Sequence, residues 1–443
     1  MTASNPTTLE RYDAAVDALL RMSDDVSDAW DATVADDPGF ALGQIGRAYL
    51  RCWSTEAADA ADARRILDDL GEPKGLTDRE GRHLAAARAY AHGDLHGAGE
   101  RLSALSVTYP RDALALAIGH QLDFFCGDAA TLRDRIGRAL LAWDPTHSHY
   151  GFLLGMHAFG LEECGLYPQA EATGMQALEH NARDVWALHA VVHTHEMRGG
   201  IQTGLRLLDE RRGDWDSGNV LAVHNSWHEA LLLLDAGEIG RSLEIYDTSV
   251  HHAGSAKVAL EMLDAAALLW RLHLDGADTG GRWAALAEAW AEKPDLPWYV
   301  FNDMHAVMSF VGAGRLDDAR AVVDRLAAYV AGGADPSISN LGMTAEVGLP
   351  VCAAIVAFGE ERYGDVVDLL HPIRKIVHRF GGSHAQRDAV ARTLFEAAIR
   401  AGDTDLALAL ASERLAVKED SPYNRRQLIR IRSRADDRDS QAA

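Results

Sequence analysis

Apolar residues recur every three or four positions along almost the whole chain, which is the period of an amphipathic α-helix. Glycines close these apolar segments at intervals from 34 residues (Gly93 to Gly127) to 45 residues (Gly314 to Gly359). Glycine suits the left-handed backbone at a helix C-terminus, where a β-carbon would clash. The pattern predicts stacked helix–turn–helix repeats. The full set of closing glycines is Gly93, Gly127, Gly165, Gly199, Gly237, Gly276, Gly314, Gly359 and Gly402.

The clearest repeat runs from Gly151 to Ala182. It has a turn glycine, an aromatic residue and two small residues at tetratricopeptide offsets: Gly165, Tyr167, Ala170 and Ala177. Small residues let two antiparallel helices approach closely. We therefore expect an all-α fold, a right-handed α-solenoid of tetratricopeptide-like helix–turn–helix repeats.

The organisation along the chain follows from the same pattern. We expect a flexible N-terminus at 1–8 and one continuous solenoid at 9–433. Within the solenoid we expect an N-terminal cap region at 9–92, regular repeats at 93–331, a long Gly-rich loop at 332–350 and C-terminal repeats at 351–433. The charged end, 434–443, is predicted to be a disordered tail.

The composition argues against several classes of binding partner. The net charge of −23 argues against nucleic acid and against anionic membrane surfaces. The four cysteines lie far apart without a CxxC pair, as in a reducing compartment. The first residues lack the basic and apolar regions of a signal peptide, and we find no uninterrupted apolar stretch of about 18 residues. These features favour a cytoplasmic protein that does not engage a membrane.

Histidines and carboxylates concentrate on the first helices of consecutive repeats, which line the concave face of a tetratricopeptide array. His189, His193 and Glu196 are spaced i, i+4, i+7, so they share one side of a helix. His224 and His228 repeat the i, i+4 spacing one unit later. Since neighbouring helices pack about 8–10 Å apart, we expect these five residues and Asp303 to point into one shared cavity.

Three interpretations of these residues stay open at this stage. The first is a divalent metal site with His189, His193, His224 and His228 as candidate ligands. The second is acid–base chemistry or polar-ligand binding without a metal. The third is structural, with each histidine bonding a neighbour and holding the repeats in register. The candidate catalytic residues are His189, His193, Glu196, His224, His228, Asp303 and His305. The candidate ligand-binding residues are His157, Glu163, Trp186, His195, Trp227, Glu229, Asn302 and Arg387.

A helix start at Gly381 to Asp388 offers a weaker site. Ser383 and Gln386 form a capping-box pattern, and the free N–H groups there with Arg387 can hold an anion; a plain helix start is the alternative. Trp143, Trp227, Trp270 and Trp283 have helical spacing within their segments, which predicts core packing.

Two functions compete. The first is binding of a small polar molecule in a His/Glu/Asp-lined concave pocket, with acid–base or metal-assisted chemistry on it. The second is a scaffold that binds a peptide in the same groove. Peptide clamps usually place Lys, Arg and Asn on the inner helices to hold carboxylates. Here imidazoles and carboxylates stand in those places, which favours the pocket. Substrate, reaction and oligomeric state are not determined by the sequence.

Several segments together resemble the tetratricopeptide repeat protein 38 family, over roughly residues 115–400. The resemblance implies a helical-repeat fold, and it implies that His189, His193, His195, Glu196, His224, His228, Asp303 and His305 belong to the family pattern. Members occur in bacteria and animals, some near antibiotic biosynthetic genes, and the family carries no established activity. The matching segments are Phe159 to Glu171, Asp184 to Met197, His224 to Leu231, Leu268 to Leu272, Phe301 to Met308, Val347 to Pro350, Pro372 to Arg374 and Gly381 to Asp388.

Overall fold

The computed structural model describes residues 1–293 and 296–442, with side chains to residue 433. Within these residues the regular structure is helical, and extended pairing is limited to an isolated bridge between Ser23 and Asn219. The first half contains α1 Pro6–Leu20, α2 Val26–Ala35, α3 Ala41–Trp53, α4 Ala57–Leu70, α5 Asp78–Ala91, α6 Leu95–Thr108, α7 Ala113–Phe125, α8 Ala129–Leu140, α9 Tyr150–Glu163, α10 Tyr167–His180, α11 Val185–Arg198 and α12 Ile201–Glu210. The second half contains α13 Arg212–Trp215, α14 Ala222–Ala236, α15 Ile239–Ile245, α16 Ala259–Leu274, α17 Arg282–Ala291, α18 Val300–Gly312, α19 Leu316–Ala331, α20 Ser339–Met343, α21 Leu349–Gly359, α22 Tyr363–Leu370, α23 His384–Ala401, α24 Thr404–Val417 and α25 Pro422–Ala442.

Most of these helices form antiparallel pairs stacked side by side, which confirms the tetratricopeptide-like solenoid. The first helices of successive pairs, here called the inner helices, pack on one another from α9 through α11, α14, α16 and α18 to α21. Small residues make the close contacts. A β-carbon at Gly174 would lie 2.5 Å from a methyl group of Val191, and one at Gly160 would lie 2.5 Å from the backbone of Arg133. The helices therefore pack at a distance that larger residues would not allow.

The turn glycines adopt the expected left-handed backbone at every predicted position except one. Gly199 and Gly237, for example, have φ of 76° and 89°. The prediction is wrong for Gly359, which ends α21 without a positive φ; Glu361 has the left-handed backbone there, with φ of 60°. A β-carbon at Gly359 would lie 2.5 Å from Val311. This glycine is therefore needed for helix contact, not for the turn.

The predicted long loop at 332–350 is also largely wrong. Only its first part is irregular, and helix begins at Ser339, continues through a π-helical turn at Thr344–Gly348 and runs on as α21. Two of the four glycines that suggested a loop, Gly342 and Gly348, lie within this helix. A β-carbon at Gly348 would lie 2.2 Å from Val300 of α18, so this glycine permits close packing.

The continuous helix Ser339–Gly359 is long and apolar enough to cross a membrane by length and composition, with a mean hydropathy of 1.8 in its most apolar window. Of that window, 61% is buried inside the protein, and α21 packs against α18 and α19. The same length and composition are found in the core helices of globular proteins, so the feature is weak evidence for a membrane span.

Both chain ends differ from the sequence expectation in detail. The first helix starts at Pro6 instead of Leu9, capped by Asn5, whose side chain accepts from the N–H of Thr8. The backbone of α25 continues past residue 433. The predicted disordered tail, 434–443, falls on residues whose side chains lie outside the described ones, and it stays a prediction.

The solenoid closes on itself, and its concave face is filled. The helix α23 packs against the inner helices α11, α16 and α21. Repeats far apart in the chain also meet: the hydroxyl of Tyr299 donates to the carbonyl of Phe125 at 3.2 Å, and the amide of Asn302 donates to the carbonyl of Thr55 at 2.9 Å. The inner helices therefore face a protein interior rather than an open groove.

Candidate functional site

Four histidines from two adjacent inner helices meet inside the solenoid. His189 and His193 lie on α11, His224 and His228 lie on α14, and one ring nitrogen from each falls within 4.8 Å of the others. We call this set the histidine cluster. The Nε2 atom of His224 is 3.1 Å from Nε2 of His189 and 3.2 Å from Nε2 of His228. Only His224 has appreciable exposure, at 17% of its side chain. The cluster predicted from the two i, i+4 pairs is therefore present as one group.

A carboxylate stands behind three of the four rings. Asp264 of α16 lies 2.7 Å from Nδ1 of His224, and Glu196 of α11 lies 2.8 Å from Nδ1 of His228. Glu162 of α9 lies 3.5 Å from Nδ1 of His193. An ionised carboxylate accepts a hydrogen bond from Nδ1–H, which leaves the lone pair on Nε2. At His224 and His228 the arrangement thus directs unprotonated Nε2 atoms towards each other. Glu162 lies close to His193 but makes no hydrogen bond with it, and neither ring nitrogen of His193 has a hydrogen-bond partner within the described residues.

Burial and proximity act against protonation of the cluster. Burial lowers the pKa of His189 and His228 well below the ordinary histidine value, and the neighbouring imidazoles lower it further. Burial also lowers the pKa of His193 to about 4. Burial raises the pKa of Glu196 above the usual glutamate range. Within the described residues, Nδ1 of His189 and Nε2 of His193 are buried without a hydrogen-bond partner.

Aromatic rings fix the imidazoles in place. The Trp227 ring stacks on His224 with centroids 5.2 Å apart and planes 19° apart. Phe159 of α9 packs against His189 and His193, with centroids 5.1 and 5.5 Å away. Trp227 is fully buried, so it packs in the core as its spacing predicts, and its contact with a ligand stays a prediction. Trp143, Trp270 and Trp283 are buried as well, as expected.

A cavity of about 420 Å³ opens beside His189 and His224. Trp186, a predicted ligand-binding residue, lines it and lies 4.9 Å from the His189 ring, centroid to centroid. Most of the wall is apolar, including Phe124 and Phe125 of α7. A second cavity, of about 410 Å³, lies on the side of Glu196 and is lined by α23 and α24. The histidine cluster therefore lies between two cavities, and it borders the first through His189 and His224.

The anion expected at the start of α23 is supplied by the chain itself. The predicted capping box forms between Ser383 and Gln386. The N–H of His384 donates to Glu163 Oε1 at 2.8 Å, and Arg387 donates to Glu163 Oε2 at 3.1 Å. His384 and Arg387 hold the pKa of Glu163 below its usual value despite burial, whereas burial and Glu163 raise the pKa of the adjacent Glu162. Glu163 and Arg387 thus dock α23 on α9, which leaves no free anion site there.

The expected placement of Asp303 in the shared cavity is wrong. Asp303 and Asn302 line a third cavity of about 260 Å³ between α18 and α19, and Asp303 pairs with Arg325 at 2.7 Å. The reason is that Asp303 lies in the first turn of α18 and faces α19. His305 is also apart: its Nδ1 donates to the Phe301 carbonyl of its own helix at 2.7 Å.

Three further predicted residues lie outside the site because their side chains face the outer helices. A β-carbon at Gly137 of α8 would lie 3.0 Å from the His157 ring, so His157 faces α8. His195 packs beside Gly204 of α12. Glu229 forms a salt bridge with Arg212 at 2.8 Å. Each lies on an inner helix, but its position on that helix turns it away from the centre.

The sequence analysis missed two carboxylates of the site, Asp264 and Glu162. Glu162 precedes Glu196 by one repeat (196 − 162 = 34), and Asp264 follows His224 by a similar step (264 − 224 = 40). Repeat-spaced positions superpose on neighbouring inner helices, so this spacing is a usable signal. Whether Glu162 or Glu163 faces the histidines depends on the rotation of α9 about its axis, which the sequence does not determine.

Comparison with known proteins bears on the fold alone. No protein-family model matches the chain. Similar solved structures include a human IFIT1 dimer with m7Gppp-AAAA, at 12% identity and a TM-score of 0.42 over 96% of this chain and 99% of that chain. Yeast Tom70 is similar at 11% identity and a TM-score of 0.36, over 97% and 89%. A human IFIT1 dimer with PPP-AAAA is similar at 14% identity and a TM-score of 0.31, over 86% and 95%. These distant likenesses carry no argument about function.

Proposed function

We propose that this protein is a metal-dependent small-molecule-binding protein on a tetratricopeptide-like scaffold. The histidine cluster holds one divalent first-row transition metal ion, and the adjacent cavity holds the molecule on which the site acts. The observation that supports this proposal is the convergence of four imidazoles, three of them backed by carboxylates. Imidazole nitrogen is a ligand suited to Zn, Fe, Cu and Ni.

The spacing of the nitrogens supports a cation between them. Metal–nitrogen bonds of about 2.0–2.1 Å in a tetrahedral site place two ligand nitrogens about 3.3 Å apart. The Nε2 pairs at 3.1 and 3.2 Å are close to that value. With Nδ1–H donated to a carboxylate, His224 and His228 present lone pairs to each other, which repel without a cation. The carboxylates fix the tautomers and raise the basicity of the ligands.

The residues have distinct roles in this proposal. The four histidines are ligands, and Asp264, Glu196 and Glu162 are positioning residues that act through the imidazoles. A bound ion of this kind supplies Lewis-acid polarisation of an oxygen or nitrogen on a bound molecule. His224 forms the edge between the cluster and the cavity, so a molecule in the cavity reaches the site there.

The rival function, a scaffold for a peptide in the concave groove, has less support. The helix α23 occupies the inner face against α11, α16 and α21, where such a peptide would lie. We also propose membership in the tetratricopeptide repeat protein 38 family and a cytoplasmic location, on the sequence features above.

Elemental analysis of the purified protein tests the proposed function. We expect about one first-row metal ion per chain, lost in His228→Ala. The matched control is His157→Ala, since His157 is also on an inner helix but faces α8. Because metal binding requires unprotonated imidazoles, the affinity is expected to fall as the pH drops. Metal-free wild-type protein that shows no rise in melting temperature with added Zn²⁺, Fe²⁺, Cu²⁺ or Ni²⁺ would contradict the proposal.

A further inference from the structure

The 420 Å³ cavity beside the histidine cluster has mostly apolar walls. Its volume is in the range of pockets that enclose small organic molecules, about 300–1,000 Å³. Side chains from both ends of the chain form it, so it exists only because the solenoid closes. Apolar members include Leu19, Leu50, Trp53, Phe124, Phe125 and Val223. A ligand of matching chemistry has a largely apolar body.

The acidic side chains that line the cavity have no basic counterpart in its wall. Among the described residues the cavity is lined by Glu261 and Asp264 but by no lysine or arginine. In protein without a bound metal ion, an anionic ligand would bury its charge beside these carboxylates without a cationic partner, which is costly. The cavity therefore favours an uncharged or amine-bearing molecule over a carboxylate, sulfonate or phosphate.

One polar atom at the wall lacks a partner. Asp264 is 1% exposed, and its Oδ2 is bonded to Nδ1 of His224. Its other oxygen, Oδ1, is buried without a hydrogen-bond partner in the described part of the chain. A buried acceptor of this kind is stabilised by a donor. This oxygen is covered by the protein and does not reach the open space of the cavity, so it places no requirement on the ligand.

We infer that this cavity binds an uncharged or amine-bearing molecule with an apolar, ring-containing body. This inference rests on the proposed function in one respect only: it names the class of molecule on which the proposed metal site acts. Binding itself depends on the cavity wall.

Two fluorescent probes that differ by one charged group test the inference. N-phenyl-1-naphthylamine is uncharged and carries an N–H donor, and 8-anilinonaphthalene-1-sulfonate adds a sulfonate to the same skeleton. The fluorescence titrations are made before and after removal of metal by a chelator. We expect one N-phenyl-1-naphthylamine per chain in both states, and in the metal-free state a Kd at least about tenfold higher for the sulfonate, because its charge is then unpaired in the cavity. Equal or tighter binding of the sulfonate in the metal-free state would overturn the inference.

A pair of Val→Trp variants locates the binding. Val26 lies at the start of α2, lines the cavity and is neither a proposed metal ligand nor one of the carboxylates behind them. Val26→Trp is therefore expected to fill the cavity and abolish probe binding while leaving the metal content unchanged. Val107→Trp is the matched control, because Val107 is 66% exposed on α6. Unchanged probe binding in Val26→Trp would contradict the assignment.

Metal analysis of the same samples separates the two proposals. Wild-type protein that takes no metal but binds the uncharged probe in a Val26-dependent manner contradicts the proposed function and supports the cavity inference. Metal-loaded protein without probe binding does the reverse.

Discussion

Two buried clusters of ionisable side chains lie on opposite sides of Glu196, and their charges are balanced in different ways. In the cluster around α23, here the ionic cluster, Arg392 lies 2.7 Å from both Asp235 and Asp388. Arg414 pairs with Asp388 at 2.8 Å and Lys418 with Asp235 at 3.0 Å. Every charge has an opposite partner within the chain. The histidine cluster instead brings four groups of the same kind together.

The pKa values reflect this difference. Lys418 and Arg392 hold the pKa of Asp235 well below the usual aspartate value despite its burial. In the histidine cluster burial and the other imidazoles lower the pKa of His189 and His228. The ionic cluster is thus complete as it stands and joins α14 to α23 and α24. The histidine cluster has its acceptor atoms turned inward, which a cation from outside would satisfy.

The largest expected effect comes from breaking the ionic cluster. Arg392→Met removes one cationic partner from the buried Asp235 and from the half-buried Asp388, and removal of one member of a buried pair costs about 3–5 kcal/mol of unfolding free energy. We expect a markedly lower melting temperature by calorimetry, with metal content per folded chain unchanged. Arg362→Met is the matched control: Arg362 is 51% exposed and paired with Glu360, so the loss there is expected to be at most about 1 kcal/mol. Comparable losses in both variants would show that the ionic cluster contributes no more than a surface pair.

A smaller effect is expected when a carboxylate behind the histidine cluster is neutralised. Asp264→Asn keeps the size of the side chain but weakens its hydrogen bond with Nδ1 of His224. Changes of this type lower metal affinity about 10- to 100-fold. Competition with a chelator of known affinity measures it. Asp303→Asn makes the same exchange in the separate cavity and is expected to leave metal affinity unchanged. A loss of metal affinity in Asp303→Asn, or an unchanged metal affinity in Asp264→Asn, would show that the metal binds elsewhere.

The last effect is confined to acidic pH and concerns a buried histidine outside both clusters. Burial lowers the pKa of His305 from 6.5 to about 4, so below pH 6.5 the unfolded chain binds a proton that the folded chain does not. Stability is therefore lost as the pH falls from 6.5 towards 4, by up to about 1.4 kcal/mol per pH unit. His305→Asn keeps a donor for the Phe301 carbonyl and does not titrate. Its unfolding free energy is expected to be less pH-dependent in this window than that of the wild type, in chemical denaturation at several pH values. An identical pH dependence in both proteins would contradict the assignment.

Local chemistry was sufficient to predict much of this molecule from the sequence. The helical period and the turn glycines gave the repeat architecture, because amphipathic spacing and left-handed backbone are properties of short segments. The two i, i+4 pairs, His189 with His193 and His224 with His228, indicated the cluster, because one repeat step places inner helices side by side. Gly348 and Gly359 were misjudged because their role is contact with another helix, α18, and not a loop or a turn.

Only the tertiary structure decided which carboxylates lie behind the histidines and which residues line the adjacent cavity. Glu162 rather than Glu163 faces His193 because of the rotation of α9, and Glu163 is used to dock α23. Asp303 was separated from the cluster by its position in the first turn of α18. The apolar cavity, the filled concave face and the partner of His224 at Asp264 all depend on how far the solenoid curls before its ends meet. That curvature is the sum of small rotations between repeats, set by packing across the whole chain, and no single segment encodes it.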